Sequence, residues 1–109
     1  NNCYYSTAYT TVNASDTLTA FVDAYTKEYG EAPNMFSALA YDATNLGLQA
    51  LEKAGKTGAD LQKAIDDTEF DGLTGSFTFD KTHSPKKSVL VVNLVDGVQT
   101  EAVSVDPNK

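Results

Sequence analysis

The stretch of residues 34–55 constrains the fold more than any other part of this 109-residue chain, because it predicts the longest helix. Ala and Leu dominate it, together with Gln, Glu and Lys, and all of these are good helix formers. Asn34 is a suitable N-cap, and Gly55 stands where many helices end in a left-handed residue. A helix of this length must bury its apolar side against other elements, so it sets the plan of the domain.

Two apolar stripes run along this predicted helix. The first begins at Phe36 and continues, every three or four residues, with small residues: Ala40, Ala43, Gly47, Ala50 and Ala54. The second stripe adds bulk beside it with Leu39, Leu46 and Leu51. Because small residues let a neighbouring element approach the helix backbone closely, we expect this broad face to be covered, as in helices that pack on a parallel sheet.

The first turns of the helix also carry side chains suited to a ligand. Phe36, Tyr41 and Asp42 place aromatic and polar groups near a helix N-terminus, which favours bound polar groups. In the alternative interpretation, Phe36 belongs to the core and Tyr41 is a half-buried residue at its rim.

Around this helix the sequence predicts the order β-α-α-α-β-β-β. A strand at residues 3–11 is followed by a helix that begins near Ser15 and ends at Gly30. After the long helix, Thr57 and Asp60 have the spacing of a capping box for a short helix that reaches about residue 68.

Strands return in the last third of the chain. Gly72 and Gly75 predict a turn that leads into a strand, and residues 81–87 form a polar loop. The Val-rich residues 88–95 predict a strand that is buried on both faces. The dipeptide at 96–97, Asp-Gly, predicts a type I′ hairpin turn that leads to an edge strand at 98–105.

These strands are too few to cover the predicted helices. We therefore expect the sheet to be completed by residues outside this sequence. The chain also begins at Asn1 without Met, so we expect it to be a processed or cut piece of a longer protein.

Charge and composition exclude several classes of function. The net charge is −7 and there is no basic cluster, so we expect no nucleic-acid partner. The sequence contains one Cys, Cys3, and one His, His83, so they form neither a disulfide nor a metal set. Cys3 is predicted to be a buried thiol and His83 a solvated loop residue.

The acidic residues at 66–71 lack the spacing of a calcium loop and predict a solvated helix end. Residues 72–75 lack the Lys of a phosphate loop, and no nucleophile elbow surrounds a serine, so we predict no enzyme.

Several segments, taken in order, resemble one family. They are Y-Y-S-T-A-Y at residues 4–9, F-V-D-A-Y-T-K-E-Y-G-E-A-P at 21–33, A-L-A-Y-D-A-T-N-L at 38–46, F-D-G-L-T-G-S-F-T-F-D at 70–80 and H-S-P-K-K-S-V at 83–89. In this order and spacing, the chain resembles the C-terminal third of type I periplasmic solute-binding proteins of ABC transporters. The most similar group is the branched-chain amino acid (Leu/Ile/Val) binding type.

The resemblance implies an α/β fold. The chain would be a segment of a bilobed protein whose lobes are parallel sheets flanked by helices, and it would end in a β-hairpin. Residues 1 to about 80 would lie mostly in one lobe, and about 81–109 would form a crossing between lobes and the C-terminal hairpin. Because family members are much longer and bind their ligand between the lobes, this chain alone would not complete the cleft.

The resemblance also implies site residues. The family's cleft aromatic, in the motif A-x-x-Y-D-A, falls on Tyr41, and Asp42 follows it as a residue that orients the helix start or a hinge contact. The predicted ligand-binding residues are Tyr41, Asp42, Phe36, Ser6, Thr7 and Tyr9. No residue of this chain is assigned to the charged groups of a ligand.

The implied function is that of a solute-binding component of an ABC transporter. It would bind a small ligand such as a branched-chain amino acid and deliver it to a permease, without catalysis, cofactor or metal. Its other partner would be the remainder of its own protein or another copy. We expect it to be periplasmic or extracellular, either free or anchored as a lipoprotein through an upstream segment. The alternative is a ligand-sensing domain of a regulator or receptor with the same fold.

Overall fold

The computed structural model describes residues 2–107, which contain three helices and six strands. In chain order the elements are β1 (Asn2–Thr7), α1 (Asp16–Tyr29), α2 (Met35–Ala54), α3 (Ala59–Asp66), β2 (Phe70–Gly72), β3 (Gly75–Phe79), β4 (Pro85–Lys86), β5 (Val89–Val95) and β6 (Val98–Val105). Within the described residues no helix is both long enough and apolar enough to cross a membrane.

Local capping signals fix the ends of the two long helices. The Ser15 side chain accepts a hydrogen bond from the Leu18 amide at the start of α1, and α1 ends at Gly30 with φ of 76°. Asn34 and Ser37 form a reciprocal capping box at the start of α2, and Gly55 ends that helix with φ of 72°. The predicted bounds of both helices are confirmed, because each boundary depends on residues within one turn of it.

The predicted capping box of α3 is wrong. The residue at the N-cap position is Gly58, and no side chain caps the helix. Asp60 instead pairs with Lys56, at 2.8 Å between carboxylate and ammonium, so its carboxylate is turned away from the cap. The helix ends at Asp66, and the Thr68 hydroxyl then donates to the Ala64 carbonyl.

The six strands form two small antiparallel sheets. The first has the order β1-β5-β6, and the second has the order β2-β3-β4. At the hairpin between β5 and β6, Asp96 and Gly97 both have positive φ, of 49° and 80°, which confirms the type I′ turn. The predicted polar loop before β5 contains the short strand β4. In the described residues every strand pairing is antiparallel, so the parallel part of the family's sheets is not formed by these strands.

The buried part of the chain is thin. Among the described residues, few apolar side chains are buried: Leu18, Ala38, Ala50, Ala64, Phe70 and Val92. The radius of gyration is 15.8 Å, whereas a compact domain of this length has about 13 Å. The accessible surface is 7462 Å², whereas a compact protein of this mass exposes about 5,900 Å². The chain therefore exposes roughly 1,600 Å² more than a self-contained domain would.

Helix α2 buries a different face from the one predicted. Its buried residues are Ala38, Asp42 and Ala50, and Asp42 among them contacts the turn at residues 72–75. Of the predicted small-residue stripe, only Ala50 is buried, whereas Phe36 is 72% exposed and Ala40 and Ala43 are also exposed. Apart from Ala50, the stripe is therefore not buried within this chain, and Phe36 belongs to no core that these residues form by themselves.

Two further expectations concern the first sheet. Cys3 is exposed, not buried, because neighbouring residues on both faces of the edge strand β1 are exposed. In β5 the adjacent residues Val92 and Asn93 are both buried, so the middle of this strand is covered on both faces, as predicted. Its first residue, Val89, is exposed. Coverage on both faces is therefore confined to the middle of the sheet.

Candidate functional site

The best-organised polar cluster in the structure surrounds Asp42, a buried carboxylate in the second turn of α2. One of its oxygens, Oδ1, accepts a hydrogen bond from the Leu73 amide at 2.8 Å. The other, Oδ2, accepts from the Thr74 amide at 2.8 Å and from the Thr74 hydroxyl at 2.6 Å. Asp42 is only 4% exposed, so these three bonds compensate for the cost of burying its charge. The carboxylate thereby clamps the turn between β2 and β3 onto α2.

Gly72 permits this close approach of the turn to the helix. A Cβ atom at this position would lie 2.6 Å from Cγ and Oδ2 of Asp42 and 2.6 Å from Cε1 of Phe70. Real Cβ atoms do not approach other atoms so closely, so the clamp needs a residue without a side chain here. The sequence indicated a turn at this glycine but not that its partner is Asp42.

Lys87 extends the cluster. Its ammonium donates a hydrogen bond to the Thr74 hydroxyl and stands 5.1 Å from the centroid of the Phe77 ring, a cation–π distance. Burial lowers the pKa of Lys87, and the nearby Asp42 carboxylate partly offsets this effect. An ammonium, a hydroxyl and a carboxylate thus form one continuous chain of hydrogen bonds.

Tyr41 lies beside this cluster at the edge of a hollow of about 500 Å³. Residues that line the hollow include Ser15, Thr17, Tyr41, Asn45, Gln49 and Asp71. The Tyr41 ring packs on Phe21 of α1, with 4.8 Å between ring centroids, and Tyr41 is 47% exposed. The ring is therefore braced on one side and open on the other, which is the arrangement expected of an aromatic side chain that meets a small molecule.

The residues predicted after β1 lie in a second region. The Thr7 hydroxyl donates to the Tyr9 carbonyl and accepts from the Tyr9 amide, which closes a tight local turn. The Tyr9 hydroxyl donates to the Pro33 carbonyl at 3.4 Å, and burial raises the pKa of Tyr9. These bonds fix the start of the connection from β1 to α1.

The structure does not bring the six predicted ligand-binding residues into one pocket. Tyr41 and Asp42 share the 500 Å³ hollow, and Tyr9 lines a neighbouring hollow of about 510 Å³. Ser6 and Thr7 line a third, smaller hollow together with Lys87. Phe36 faces solvent on α2. The roles of all six residues in ligand binding stay predictions.

Sequence reasoning missed Thr74 and Lys87. Neither residue has a local signal for its role, because the partner of Lys87 is 13 residues away and those of Asp42 are 31 and 32 residues away. The sequence predicted only a turn at Gly72 and Gly75 and a polar loop at residues 81–87, without partners for Thr74 or Lys87. Asp42 is the one charged residue of α2 that the structure buries, and a buried carboxylate requires polar partners.

Comparison with known proteins defines the class. The sequence profile of the family described as "Periplasmic binding protein" matches residues 1–99, so the chain belongs to the periplasmic binding proteins. Within the family, it is similar to the type I proteins of the branched-chain amino acid group. The predicted family and the predicted fold class are thus confirmed. No curated protein matches the chain.

Three solved structures illustrate the similarity. LivJ, the branched-chain amino acid transporter substrate-binding protein of Streptococcus pneumoniae in complex with isoleucine, shares 34% identity over 95% of this chain, with a TM-score of 0.81. The leucine-binding protein LivK of Thermotoga maritima shares 29% identity over 99% of this chain, with a TM-score of 0.82. A solute-binding protein of an ABC transporter from Rhodopseudomonas palustris, in complex with 3,4-dihydroxybenzoic acid, shares 23% identity over 98% of this chain, with a TM-score of 0.77, and shows likeness of fold alone.

The chain spans about a third of each of these proteins. It covers 30% of LivJ and 32% of both LivK and the R. palustris protein. The roughly 1,600 Å² of surplus surface agrees with this coverage, because a segment of a larger fold exposes faces that the rest of the fold would bury.

Proposed function

We propose that this chain is a segment of the solute-binding component of an ABC transporter, and that the whole protein binds a small ligand such as a branched-chain amino acid in a cleft between two lobes. The observation that carries the proposal is the 34% identity with LivJ, a protein in complex with isoleucine, over 95% of this chain. Delivery of the ligand to a permease, without catalysis, is part of the same proposal.

The arrangement of Tyr41 supports this function. Its ring is half exposed at a hollow and packs on Phe21. Tyr41 lies on α2, and its neighbour Asp42 holds that helix to the turn at residues 72–75. An aromatic ring held in this way loses little conformational entropy when a ligand binds. We propose that Tyr41 packs on the apolar side chain of the ligand or donates its hydroxyl to it.

The other predicted residues take more distant roles in this proposal. Asp42 supports the site without contacting the ligand, because its carboxylate already accepts hydrogen bonds from Leu73 and Thr74. Ser6, Thr7 and Tyr9 surround the connection between β1 and α1, and Phe36 stands at the start of α2. We propose that these four residues border the cleft once both lobes are present.

The two sheets suggest how the chain divides between the lobes. We propose that residues up to about 80 lie mostly in one lobe and that residues from about 81 cross to the other lobe and form the C-terminal hairpin. Because β1 pairs with β5, residues 2–7 accompany the hairpin, and the chain passes between the sheets at 8–15 and again at 87–88. These two connections are the proposed crossings.

We place the protein in the periplasm or outside the cell, as is usual for this family, either free or anchored as a lipoprotein through a segment upstream of this chain. A small-molecule ligand, a permease, and the remainder of its own protein or another copy are the proposed partners.

Calorimetric titration of the full-length protein with L-leucine, L-isoleucine and L-valine tests the proposal. Tyr41→Ala should weaken binding by about 1–3 kcal/mol, as expected for truncation of an aromatic anchor. The control is Tyr29→Ala, because Tyr29 stacks on Tyr25 at the exposed end of α1 and does not border the hollow of Tyr41. If Tyr41→Ala leaves the affinity unchanged and lowers only the melting temperature, Tyr41 belongs to the packing and not to the site.

A further inference from the structure

The connection between the two sheets carries a lysine with fixed partners. Strand β4 ends at Lys86 and β5 begins at Val89, so only Lys87 and Ser88 join the sheets at this point. Lys87 is partly buried, with its ammonium over the Phe77 ring and hydrogen-bonded to Thr74. A lysine in a short connection usually extends into water, since its long side chain has much rotamer freedom to lose.

The bonds continue from Thr74 to Asp42. The Thr74 hydroxyl accepts from the Lys87 ammonium and donates to Asp42 Oδ2 at 2.6 Å, so its donor and acceptor roles are both assigned. Thr74 is 8% exposed, and hydrogen bonds of charged groups are stronger when water is excluded. The ammonium and the carboxylate thus hold the hydroxyl between them in one orientation.

Lys87 and Asp42, the two ends of this series of hydrogen bonds, belong to different parts of the molecule. Lys87 lines the hollow that also contains Ser6 and Thr7, at the junction of the two sheets. Asp42 lies on α2, next to Tyr41. Thr74 lies in the turn between β2 and β3 and joins the two ends.

We propose that Lys87 is a positioning residue, which acts through Thr74 and Asp42 to fix the connection between the sheets relative to α2 and so sets the orientation of Tyr41. The linkage itself stands on the geometry of the three side chains. Its consequence for a ligand rests on the proposed function.

Amide hydrogen exchange in the full-length protein tests the linkage without any ligand. Lys87→Met retains most of the length and apolar stem of the side chain but loses the ammonium. The Leu73 and Thr74 amides, which donate to Asp42, should then exchange about tenfold faster, the size expected for the loss of one hydrogen bond to a charged group. The control is Lys86→Met, which makes the same charge change at an exposed neighbouring residue and should leave both amides unchanged. Equal exchange rates in the two variants would overturn the proposal.

Two substitutions of Thr74 provide an independent test of the linkage, which can be used even if Lys87→Met does not fold. Thr74→Val removes the hydroxyl and preserves the shape, whereas Thr74→Ser keeps the hydroxyl. We expect faster exchange at residues 87–89 in Thr74→Val and wild-type exchange in Thr74→Ser. A residue that serves only as packing would behave in the opposite way, because Val fills the space better than Ser.

Titration with L-leucine then measures the effect on the site. Lys87→Met should weaken binding about fivefold to tenfold through the orientation of Tyr41, and Lys86→Met should not. If the unsubstituted protein binds none of L-leucine, L-isoleucine and L-valine, the proposed function fails, and the exchange rates still decide the linkage. If leucine binds but Tyr41→Ala leaves its affinity unchanged, Tyr41 is not part of the site, and the half of the proposal that concerns its orientation is refuted. If exchange responds to Lys87→Met but leucine affinity responds only to Tyr41→Ala, the linkage does not position Tyr41, and that half of the proposal is refuted.

Discussion

Substitution of Gly72 tests the clamp between Asp42 and the turn most directly. In Gly72→Ala, the new methyl group would lie 2.6 Å from the Asp42 carboxylate and 2.6 Å from the Phe70 ring. Gly72 has no positive φ, so alanine meets no backbone penalty and the whole effect comes from these contacts. Either the Phe70 ring shifts within the buried core, or the carboxylate withdraws from the turn.

The size of the effect follows from these two responses. Overpacking of a well-packed site costs about 1–3 kcal/mol. If Asp42 withdraws, its bonds to Leu73 and Thr74 weaken, and a hydrogen bond to a charged group contributes about 1.5–3 kcal/mol. We therefore expect Gly72→Ala to lower the free energy of unfolding by about 2–4 kcal/mol.

Urea unfolding of the full-length protein, followed by circular dichroism, provides the assay, and a second glycine provides the control. Gly47 lies inside α2, and a Cβ atom there would meet no atom of the described residues within 4 Å. Gly47→Ala therefore causes no clash within this segment, and helix propensity should contribute about 0.5–1 kcal/mol of stability. The same chemical change should thus have opposite signs at the two positions. Equal midpoints for Gly72→Ala and the wild type would refute the clamp.

Two further predictions concern the behaviour of this chain in isolation and the pH dependence of its stability. The isolated 109-residue chain should bind a hydrophobic dye, and light scattering should show that it self-associates, because apolar residues such as Phe36 are exposed. A monodisperse monomer that unfolds cooperatively would contradict this prediction. His83 lies 2.8 Å from the Asp66 carboxylate, and this hydrogen bond and then the negative charge raise the pKa of His83. Since the folded pKa exceeds the unfolded value, the pair stabilises the fold fully below about pH 6.5 and loses this effect as the pH rises through the folded pKa. NMR titration should show a lower His83 pKa in Asp66→Asn, and an identical pKa in both proteins would exclude the pair.

Features that depend on neighbouring residues could be predicted from the sequence. The ends of α1 and α2 follow from Ser15, Gly30, Asn34 and Gly55, each of which acts within one helical turn. The turn at residues 96–97 likewise follows from the ability of Asp-Gly to adopt positive φ at both positions. The family could also be inferred, because the order of many weak segments along the chain is itself a strong constraint.

Features that depend on distant partners could not be predicted. The small-residue stripe of α2 indicated that a face is suited to close packing but not whether this chain supplies the partner. Three of its six residues are exposed, and only Ala50 is buried. The role of Asp42 needs the turn at residues 72–75, which is remote in sequence. Cys3 was expected inside because free cysteines are usually buried, but the position of β1 at a sheet edge is a property of the topology.

The pairing of β1 with β5 has a consequence for synthesis. The paired residues, from Asn2 with Val95 to Thr7 with Leu90, are between 83 and 93 positions apart in the chain. At about 5–20 residues per second, the first strand waits roughly 5–20 seconds on the ribosome before its partner is made. During this time β1 has no strand of this chain to pair with, so its backbone edges and its tyrosines stay open to other chains.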